Sequence, residues 1–326
     1  MKWVVMTLIT LLIGGCWKHE STGMTVQTKS PKVKIAVSLT PLTTPLFVAK
    51  NQKFFANNNI DVELVPCKGG VNCANLLQNG IVSYATTSNT VALFNQYEHN
   101  NVSVLASFVT SSNDLKLRTL EPLNITSMSD LSGKKVGIVK SSASELYFDL
   151  LLISNGLQAL NVQRVFLDIE EMVPALLSYQ VDAISVWEPY GYKSSVLSAT
   201  QVKDLGLKGI YQLSFNLITH SHRTEKNEQE EAILYSIYQA IQWIDQNPNE
   251  SIALISKELN VFPREVEWAW EDYIFELTND YTLLSNLRLQ ARWASERSID
   301  EVEPLDVRLL VDNTAYTSLQ DKGRVK

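Results

Sequence analysis

Four consecutive side chains, Trp187, Glu188, Pro189 and Tyr190, combine chemical groups that could bind a small molecule. They follow VDAISV, a short apolar segment rich in β-branched residues that predicts a buried strand. Trp187 offers a flat apolar wall, and Glu188 could accept from a ligand N–H or from a backbone amide. Pro189 cannot continue a strand ladder, and Tyr190 adds a hydroxyl or a ring edge. This mixture is typical of ligand pockets. The alternative is a strand-to-helix turn packed by its own aromatic rings.

Three further segments, SLTPLTTP, ATTSNT and VKSSASE, are rich in serine and threonine, and each follows a predicted strand and leads into a predicted helix. Ligands of open α/β sheets bind beyond the carboxyl ends of the strands. Unpaired N–H groups at a helix N-terminus add donors there. The alternative is that these hydroxyls only cap helices.

The sequence lacks the motifs of common enzyme classes. SGKK is not a phosphate-binding loop, and no zinc-protease, serine-hydrolase or dinucleotide motif is present. His220 and His222 could form a metal pair, but two histidines without a third ligand are more often surface residues. We therefore predict neither a metal nor a cofactor.

The cysteines and the first residues indicate export. An apolar segment at 3–13 is shorter than the ~20 residues of a membrane span but suits a signal peptide. Two glycines and Cys16 then resemble a bacterial lipobox, which predicts a signal peptide over 1–16, a lipid on Cys16 and a polar tether over 17–31. A plain signal peptide or a short anchor helix is the alternative. For Cys67 and Cys73 a disulfide is favoured over a metal or redox site and over two free thiols.

From residue 32 onward the chain alternates strands and helices, which predicts a largely parallel sheet covered by helices. A new unit opens near Asp114, and from about Glu225 the pattern is mostly helical. The length of 326 residues suits two domains, and the net charge of −7 argues against nucleic-acid binding. Helical spacing assigns three tryptophans to packing rather than to a ligand, namely Trp243, Trp268 and Trp270.

Two segments, SMSDLSGKKVGIVKSSASELYFDLLLISNGL and MVPALLSYQVDAISVWEPY, carry a family resemblance. They resemble periplasmic substrate-binding proteins of the alkanesulfonate, nitrate, taurine and thiamine-precursor type, the SsuA/THI5-like or NMT1 family. The chain departs from the family pattern where Gln180 replaces a glycine, and where Gln52-Lys53 and Asn58-Asn59 replace a glycine pair. Asparagine suits a left-handed position at a helix end, so we expect the fold to tolerate the second change.

The resemblance implies an α/β, two-lobed periplasmic-binding-protein-like type II fold with a hinge between the lobes. Lobe 1 would hold residues 32–110 and 208–326, and lobe 2 residues 111–207. The implied role is the lipid-anchored, monomeric solute-binding component of an ABC importer, working with a permease and an ATPase. Its ligand would be a small polar organic molecule of the sulfonate, taurine, nitrate or thiamine-pyrimidine-precursor class.

Matched position by position, the family's ligand contacts fall on loops of both lobes. Among these loops we find no arginine, which argues against a tightly held anion, and Glu188 weakly favours a ligand with an N–H group. The implied contacts, with Tyr190 added from its place in the same turn, are Thr40, Leu42, Thr43, Thr87, Ser88, Asn89, Ser141, Ser142, Ala143, Trp187, Glu188 and Tyr190.

Two other functions share this fold. One is a ligand-sensing lipoprotein without a transport role. The other is the pyrimidine-precursor synthase, which relies on an active-site histidine and a cysteine-rich motif. The chain has no cysteine cluster and starts with an apparent export signal, so we expect a binding protein rather than an enzyme.

Overall fold

The computed structural model describes Trp3 and residues 32–223, 228–279, 281–297 and 305–325. The predicted signal peptide, its Cys16 and the tether at 17–31 lie outside the described residues, apart from Trp3. No described helix is both long enough and apolar enough to cross a membrane.

Eleven strands form two separate sheets in the described residues. One sheet has six strands in the order β11-β4-β10-β3-β1-β2, and the other has five in the order β7-β6-β8-β5-β9. The strands are β1 (Val33–Ser38), β2 (Val62–Cys67), β3 (Tyr84–Ser88), β4 (Val102–Ser111), β5 (Leu115–Leu120), β6 (Lys135–Ile138), β7 (Gln163–Phe166), β8 (Ala183–Trp187), β9 (Val202–Asp204), β10 (Leu213–His220) and β11 (Tyr273–Ile274).

We call the six-stranded sheet with its helices lobe 1 and the five-stranded sheet with its helices lobe 2. The chain passes between them twice, at residues 112–114 and 205–212, which we call the crossing segments. The two-lobed α/β architecture is therefore confirmed, whereas the lobe borders at 110 and 207 stay a prediction.

The sheets are mixed, so the prediction of largely parallel pairing was wrong. In lobe 1, β1 pairs parallel with β2 and β3, but β10 runs antiparallel between β3 and β4. In lobe 2, β6 pairs parallel with β7 and β8, but β5 is antiparallel to β8 and β9. The antiparallel strands β5 and β10 are those that follow the crossing segments. The sequence pattern of alternating strands and helices does not show the direction in which a strand re-enters a sheet.

Twelve α-helices accompany the sheets in the described part of the chain. They are α1 (Thr44–Asn51), α2 (Phe54–Asn57), α3 (Gly69–Gln78), α4 (Asn89–His99), α5 (Ala143–Ser154), α6 (Ile169–Leu177), α7 (Tyr190–Leu197), α8 (Glu228–Gln246), α9 (Pro248–Leu259), α10 (Pro263–Trp270), α11 (Tyr281–Arg297) and α12 (Thr314–Asp321).

Local sequence explains several of these boundaries. Proline begins α9 and α10, where its missing N–H costs nothing. Lys53 and Asn59, each in a residue pair that replaces a family glycine, both adopt left-handed backbone angles with φ of 61°. Asparagine tolerates this region better than most residues, but lysine does not, so Lys53 is the less expected of the two.

A disulfide joins Cys67 at the end of β2 to Cys73 in α3, with the two Cα atoms 5.4 Å apart. It is the pairing that the sequence favours. Since residues 68–72 lie between the two cysteines, the bond fixes the turn that starts α3 against the end of a buried strand.

Candidate functional site

A pocket lies between the two lobes, and the empty space within it and at its mouth is ≈ 370 Å³. It is lined by the ends of β1, β3 and β8, by the starts of α3 and α5, and by β10 and the first crossing segment. The described lining consists of Ser38, Thr40, Leu42, Gly70, Val71, Ser88, Val91, Asp114, Leu115, Ser142, Ala143, Trp187, Leu213 and Phe215.

Half of the twelve predicted contact residues line this pocket, and they come from all four predicted loops. Ser88 and Ser142 also cap helices, because their hydroxyls accept from the backbone N–H of Val91 and Ser144. Capping and pocket lining are therefore combined rather than alternative at these two positions. The six lining residues are Thr40, Leu42, Ser88, Ser142, Ala143 and Trp187.

Three predicted residues of lobe 1 lie outside the pocket lining, and two of them are bonded within the protein. The Thr43 hydroxyl donates to the carbonyls of Ser38 and Thr40. Asn89 Oδ1 accepts from the Tyr211 hydroxyl at 2.7 Å. Thr87 is fully buried beside the pocket, and its Oγ1 has no hydrogen-bond partner among the described residues.

Thr87 packs against the start of α3 so closely that a glycine is needed there. A Cβ on Gly70 would lie 2.3 Å from Thr87 Oγ1, and one on Gly69 would lie 3.0 Å from the Trp187 ring. Gly69 also has φ of +79°, which disfavours any other residue. At Gly69 and Gly70 the segment between the two cysteines thus brings backbone, rather than side chains, up to the pocket.

In lobe 2, Ser141 adopts φ of 53°, and its N–H donates to the Glu145 carboxylate at 2.8 Å. The Ser141 N–H, just before α5, is therefore bonded within the chain. Tyr190 lies outside the pocket lining and packs edge-on against Trp187, with ring centroids 6.4 Å apart.

Glu188 faces away from the pocket lining and is fully buried. Its Oε2 accepts from the Tyr192 N–H at 2.8 Å, and its Oε1 accepts from Trp268 Nε1 at 3.1 Å. The peptide bond to Pro189 is cis. Burial raises the pKa of Glu188 above its usual value. Both carboxylate oxygens of Glu188 therefore accept hydrogen bonds within the protein, and one of them bonds a backbone amide rather than a ligand.

Trp268 bridges the lobes instead of packing in a core. Its side chain is 55% exposed, yet its indole N–H bonds Glu188 and its ring lies 5.6 Å from that of Tyr192. Helical spacing predicted packing for this residue, and for Trp243 and Trp270 the structure agrees. The spacing alone could not show that Trp268 lies opposite α7 of the other lobe.

Sequence reasoning missed Asp114, which is 1% exposed and lines the pocket. Its Oδ1 accepts from the Tyr273 hydroxyl at 2.9 Å, whereas its Oδ2 has no hydrogen-bond partner among the described residues. Burial, followed by the nearby Glu188, raises the pKa of Asp114 from 3.8 to about 7. The sequence signal that could have identified Asp114 was its position at the start of the second α/β unit.

An outer groove of ≈ 880 Å³ adjoins the pocket and shares Val71 and Trp187 with it. Across this groove Lys68 of lobe 1 and Glu170 of lobe 2 form an ion pair of 2.6 Å. We call this pair the groove-side contact. The bonds of Tyr273 to Asp114 and of Trp268 to Glu188, near the crossing segments, are the crossing-side contacts.

The described residues contain no group of three or more histidine, cysteine, aspartate or glutamate side chains that could hold a metal ion. His220 lies at the end of β10, with its Nε2 2.9 Å from the Leu77 carbonyl.

The two-lobed arrangement matches solved periplasmic binding proteins. The periplasmic aliphatic sulphonate binding protein SsuA from Escherichia coli has a TM-score of 0.72 at 17% identity, covering 86% of this chain and 92% of that chain. The alkanesulfonate-binding protein SsuA from Xanthomonas axonopodis pv. citri, bound to MOPS, has a TM-score of 0.74 at 14% identity, covering 87% and 98%. The fold is therefore that of the periplasmic binding proteins.

The sequence comparison then gives the family. The NMT1/THI5 like family model matches residues 40–251, more than half of the chain, and the chain belongs to this family. A Bacillus subtilis protein provisionally named an aliphatic sulfonates-binding protein is 22% identical over 321 residues, covering 95% of this chain and 94% of that protein. A Haemophilus influenzae protein provisionally named a thiamine biosynthesis protein is 24% identical over 271 residues, covering 79% and 85%. The predicted family is confirmed.

Proposed function

We propose that this chain is the lipid-anchored solute-binding component of an ABC importer. The observation that carries the proposal is the pocket between the lobes, which combines residues of both sheets with buried polar atoms that lack partners. Such atoms are costly to bury unless a ligand bonds them. In the described lining they are Ser38 Oγ, Thr40 Oγ1 and Asp114 Oδ2.

The ligand of this proposal is a small polar organic molecule of the sulfonate, taurine, nitrate or thiamine-pyrimidine-precursor class. The names of the Bacillus subtilis and Escherichia coli proteins support the sulfonates, and that of the Haemophilus influenzae protein supports the last class. Lobe closure on the ligand would present the protein to a permease and its ATPase. The protein would act as a monomer outside the cytoplasm, held near its permease by a lipid on Cys16.

A thermal-shift screen tests the binding role. The purified protein is heated with sulfonates, taurine, nitrate and aminopyrimidines, because a ligand that binds only the folded state raises the midpoint with concentration. A concentration-dependent rise with one class supports the proposal. No rise with any class argues against it. Uptake of the identified ligand by cells with and without the gene then separates transport from sensing.

Trp187→Ala tests whether the pocket is the binding site. We expect at least about a tenfold loss of affinity, as for a central aromatic anchor. Because Trp187 also packs against the turn at Gly69, its thermal midpoint must be measured alongside. Trp243→Ala, outside the described lining, is the matched control for loss of an indole. Unchanged affinity in the Trp187 variant would place the site elsewhere.

An enzymatic role is the second candidate, because one relative carries a biosynthetic name. No histidine or cysteine is among the described lining residues of the pocket, which disfavours the synthase chemistry that needs them. Turnover of an aminopyrimidine by the purified protein would favour this role over binding.

A further inference from the structure

Asp114 holds a carboxylate oxygen that the protein itself leaves unbonded. Its side chain is 1% exposed, and one oxygen is occupied by the Tyr273 hydroxyl. The other, Oδ2, lacks a hydrogen-bond partner among the described residues, and Asp114 lines the pocket. A buried ionised oxygen of this kind is costly unless a donor reaches it.

The neighbouring charged groups do not supply that donor. Lys116 donates to the backbone carbonyl of Asn113, and Asp272 is bonded by Lys208 and Asn113. Glu188 adds a second buried carboxyl nearby, and both of its oxygens are occupied. The neighbouring groups thus leave Asp114 Oδ2 available as an acceptor for a ligand in the pocket.

Besides the hydroxyls of Ser38, Thr40, Ser88 and Ser142, the rest of the described lining is apolar, and it lacks cationic side chains. Trp187, Phe215 and Leu42 contribute apolar surface, and no lysine or arginine is among the described lining residues. A sulfonate would be placed near two buried carboxyls without a compensating cation. In lobe 2, moreover, the Ser141 N–H just before α5 already donates to Glu145. When Asp114 is ionised, this environment disfavours an anion and favours a donor.

We propose that the pocket takes a small ligand with an apolar body and an N–H donor group, an amidine, amine or aminated ring, which donates to Asp114 Oδ2. The inference rests on the proposed function and narrows its ligand class to N–H donors, excluding simple sulfonates and nitrate. Asp114 is thereby a specificity-determining residue, because a buried acceptor in the pocket lining rejects ligands that lack a donor.

Two pairs of probes with matched rings test this inference by calorimetry. They are benzamidine with benzenesulfonate, and 4-aminopyrimidine with 4-methylpyrimidine. We expect each N–H donor to bind at least about tenfold more tightly than its partner, since a lost bond to a charged group costs that much or more. Asp114→Asn should lower the affinity for benzamidine at least about tenfold. Asp272→Asn, near the site but outside the described lining, should change it little.

The pH dependence gives a second readout. Because the pKa of Asp114 is about 7, benzamidine affinity should rise between roughly pH 5 and 8 as the carboxyl ionises, and this rise should vanish in Asp114→Asn. Glu188, Asp272, Tyr273 and Lys116 also face Asp114, so the variant is needed to assign the change.

Equal binding of both members of each pair, no binding of either donor, or an unchanged affinity in Asp114→Asn would overturn the inference. Preferential binding of benzenesulfonate would overturn it as well, yet would leave the proposed solute-binding function standing. The broader thermal-shift screen decides separately whether the pocket binds any solute.

Discussion

The crossing-side and groove-side contacts both join the lobes, as does a buried bond from Trp293 Nε1 in α11 to Asp149 Oδ2 in α5, but the first two differ in burial. The crossing-side contacts end on Asp114 and Glu188, which are 1% and 0% exposed. The groove-side contact joins Lys68 and Glu170, whose side chains are 57% and 53% exposed. Breaking a buried bond leaves a desolvated polar group, whereas an exposed ion pair exchanges its partner for water and salt. We infer that the crossing side holds the lobes together while the groove side opens.

The largest expected effect concerns the buried carboxyls of the crossing side. Burial and the nearby Glu188 raise the pKa of Asp114 to about 7, and burial also raises the pKa of Glu188. A raised carboxyl pKa means that the folded state retains a proton that the unfolded state loses. The resulting stability is complete below about pH 4 and is lost as the pH rises through about 7. Without ligand, the free energy of unfolding should fall by up to about 4 kcal/mol over this window.

Urea unfolding at a series of pH values measures this slope, and Asp114→Asn should flatten it. Asp130→Asn is the control, because Asp130 is exposed and hydrogen bonds from Thr126 lower its pKa to about 2. Its contribution has the opposite sign and is lost only at lower pH. Glu188 should leave part of the slope in Asp114→Asn, but an unchanged slope would show that Asp114 is not buried as described.

The second effect concerns the disulfide that lies beside the groove-side contact. The Cys67–Cys73 disulfide closes a loop with a sequence separation of 6. Replacing both cysteines by serine should cost about 2 kcal/mol, chiefly by freeing the unfolded chain. Thermal midpoints with and without a reductant measure this cost. The midpoint of the double variant should not respond to the reductant, and a wild-type midpoint equally unresponsive would contradict the prediction.

Pocket residues at strand ends are predicted well from the sequence, whereas those at the crossing segments are not. Strand ends followed by helix starts are local patterns, so Thr40, Ser88, Ser142 and Trp187 were placed at the pocket without a structure. The same pattern could not tell a hydroxyl that lines a pocket from one that is bonded internally, as at Thr43.

Asp114 and Phe215 were missed for a different reason. Asp114 lies in the first crossing segment and Phe215 lies shortly after the second, and their positions depend on β5 and β10 entering the sheets antiparallel to their neighbours. The hydrogen bond that Glu188 accepts across the lobes comes from Trp268, 80 positions further along the chain. Such distant pairings are set by tertiary packing, which no local spacing records.

A smaller effect is expected from the crossing-side bond of Trp268. Trp268→Phe keeps an aromatic ring but removes the donor to Glu188 Oε1, leaving a buried acceptor unsatisfied. We expect a loss of about 1 to 2 kcal/mol in the free energy of unfolding. Trp270→Phe is the control, since Trp270 lies on the same helix but packs against Phe275. An equal loss in both variants, measured by urea unfolding, would assign the effect to packing.

The smallest effect on stability should come from the groove-side ion pair. Glu170→Gln removes the partner of Lys68, and for an exposed pair we expect a change below about 1 kcal/mol. Glu63→Gln is a matched control, because Glu63 pairs with Lys32 within lobe 1 at similar exposure. If the groove side opens to admit ligand, Glu170→Gln should speed ligand release, and moderate salt should do the same in the wild type. Stopped-flow release rates measure both. Faster release in both variants alike would mean that the lost charge acts at long range, and that the groove-side contact does not hold the lobes closed.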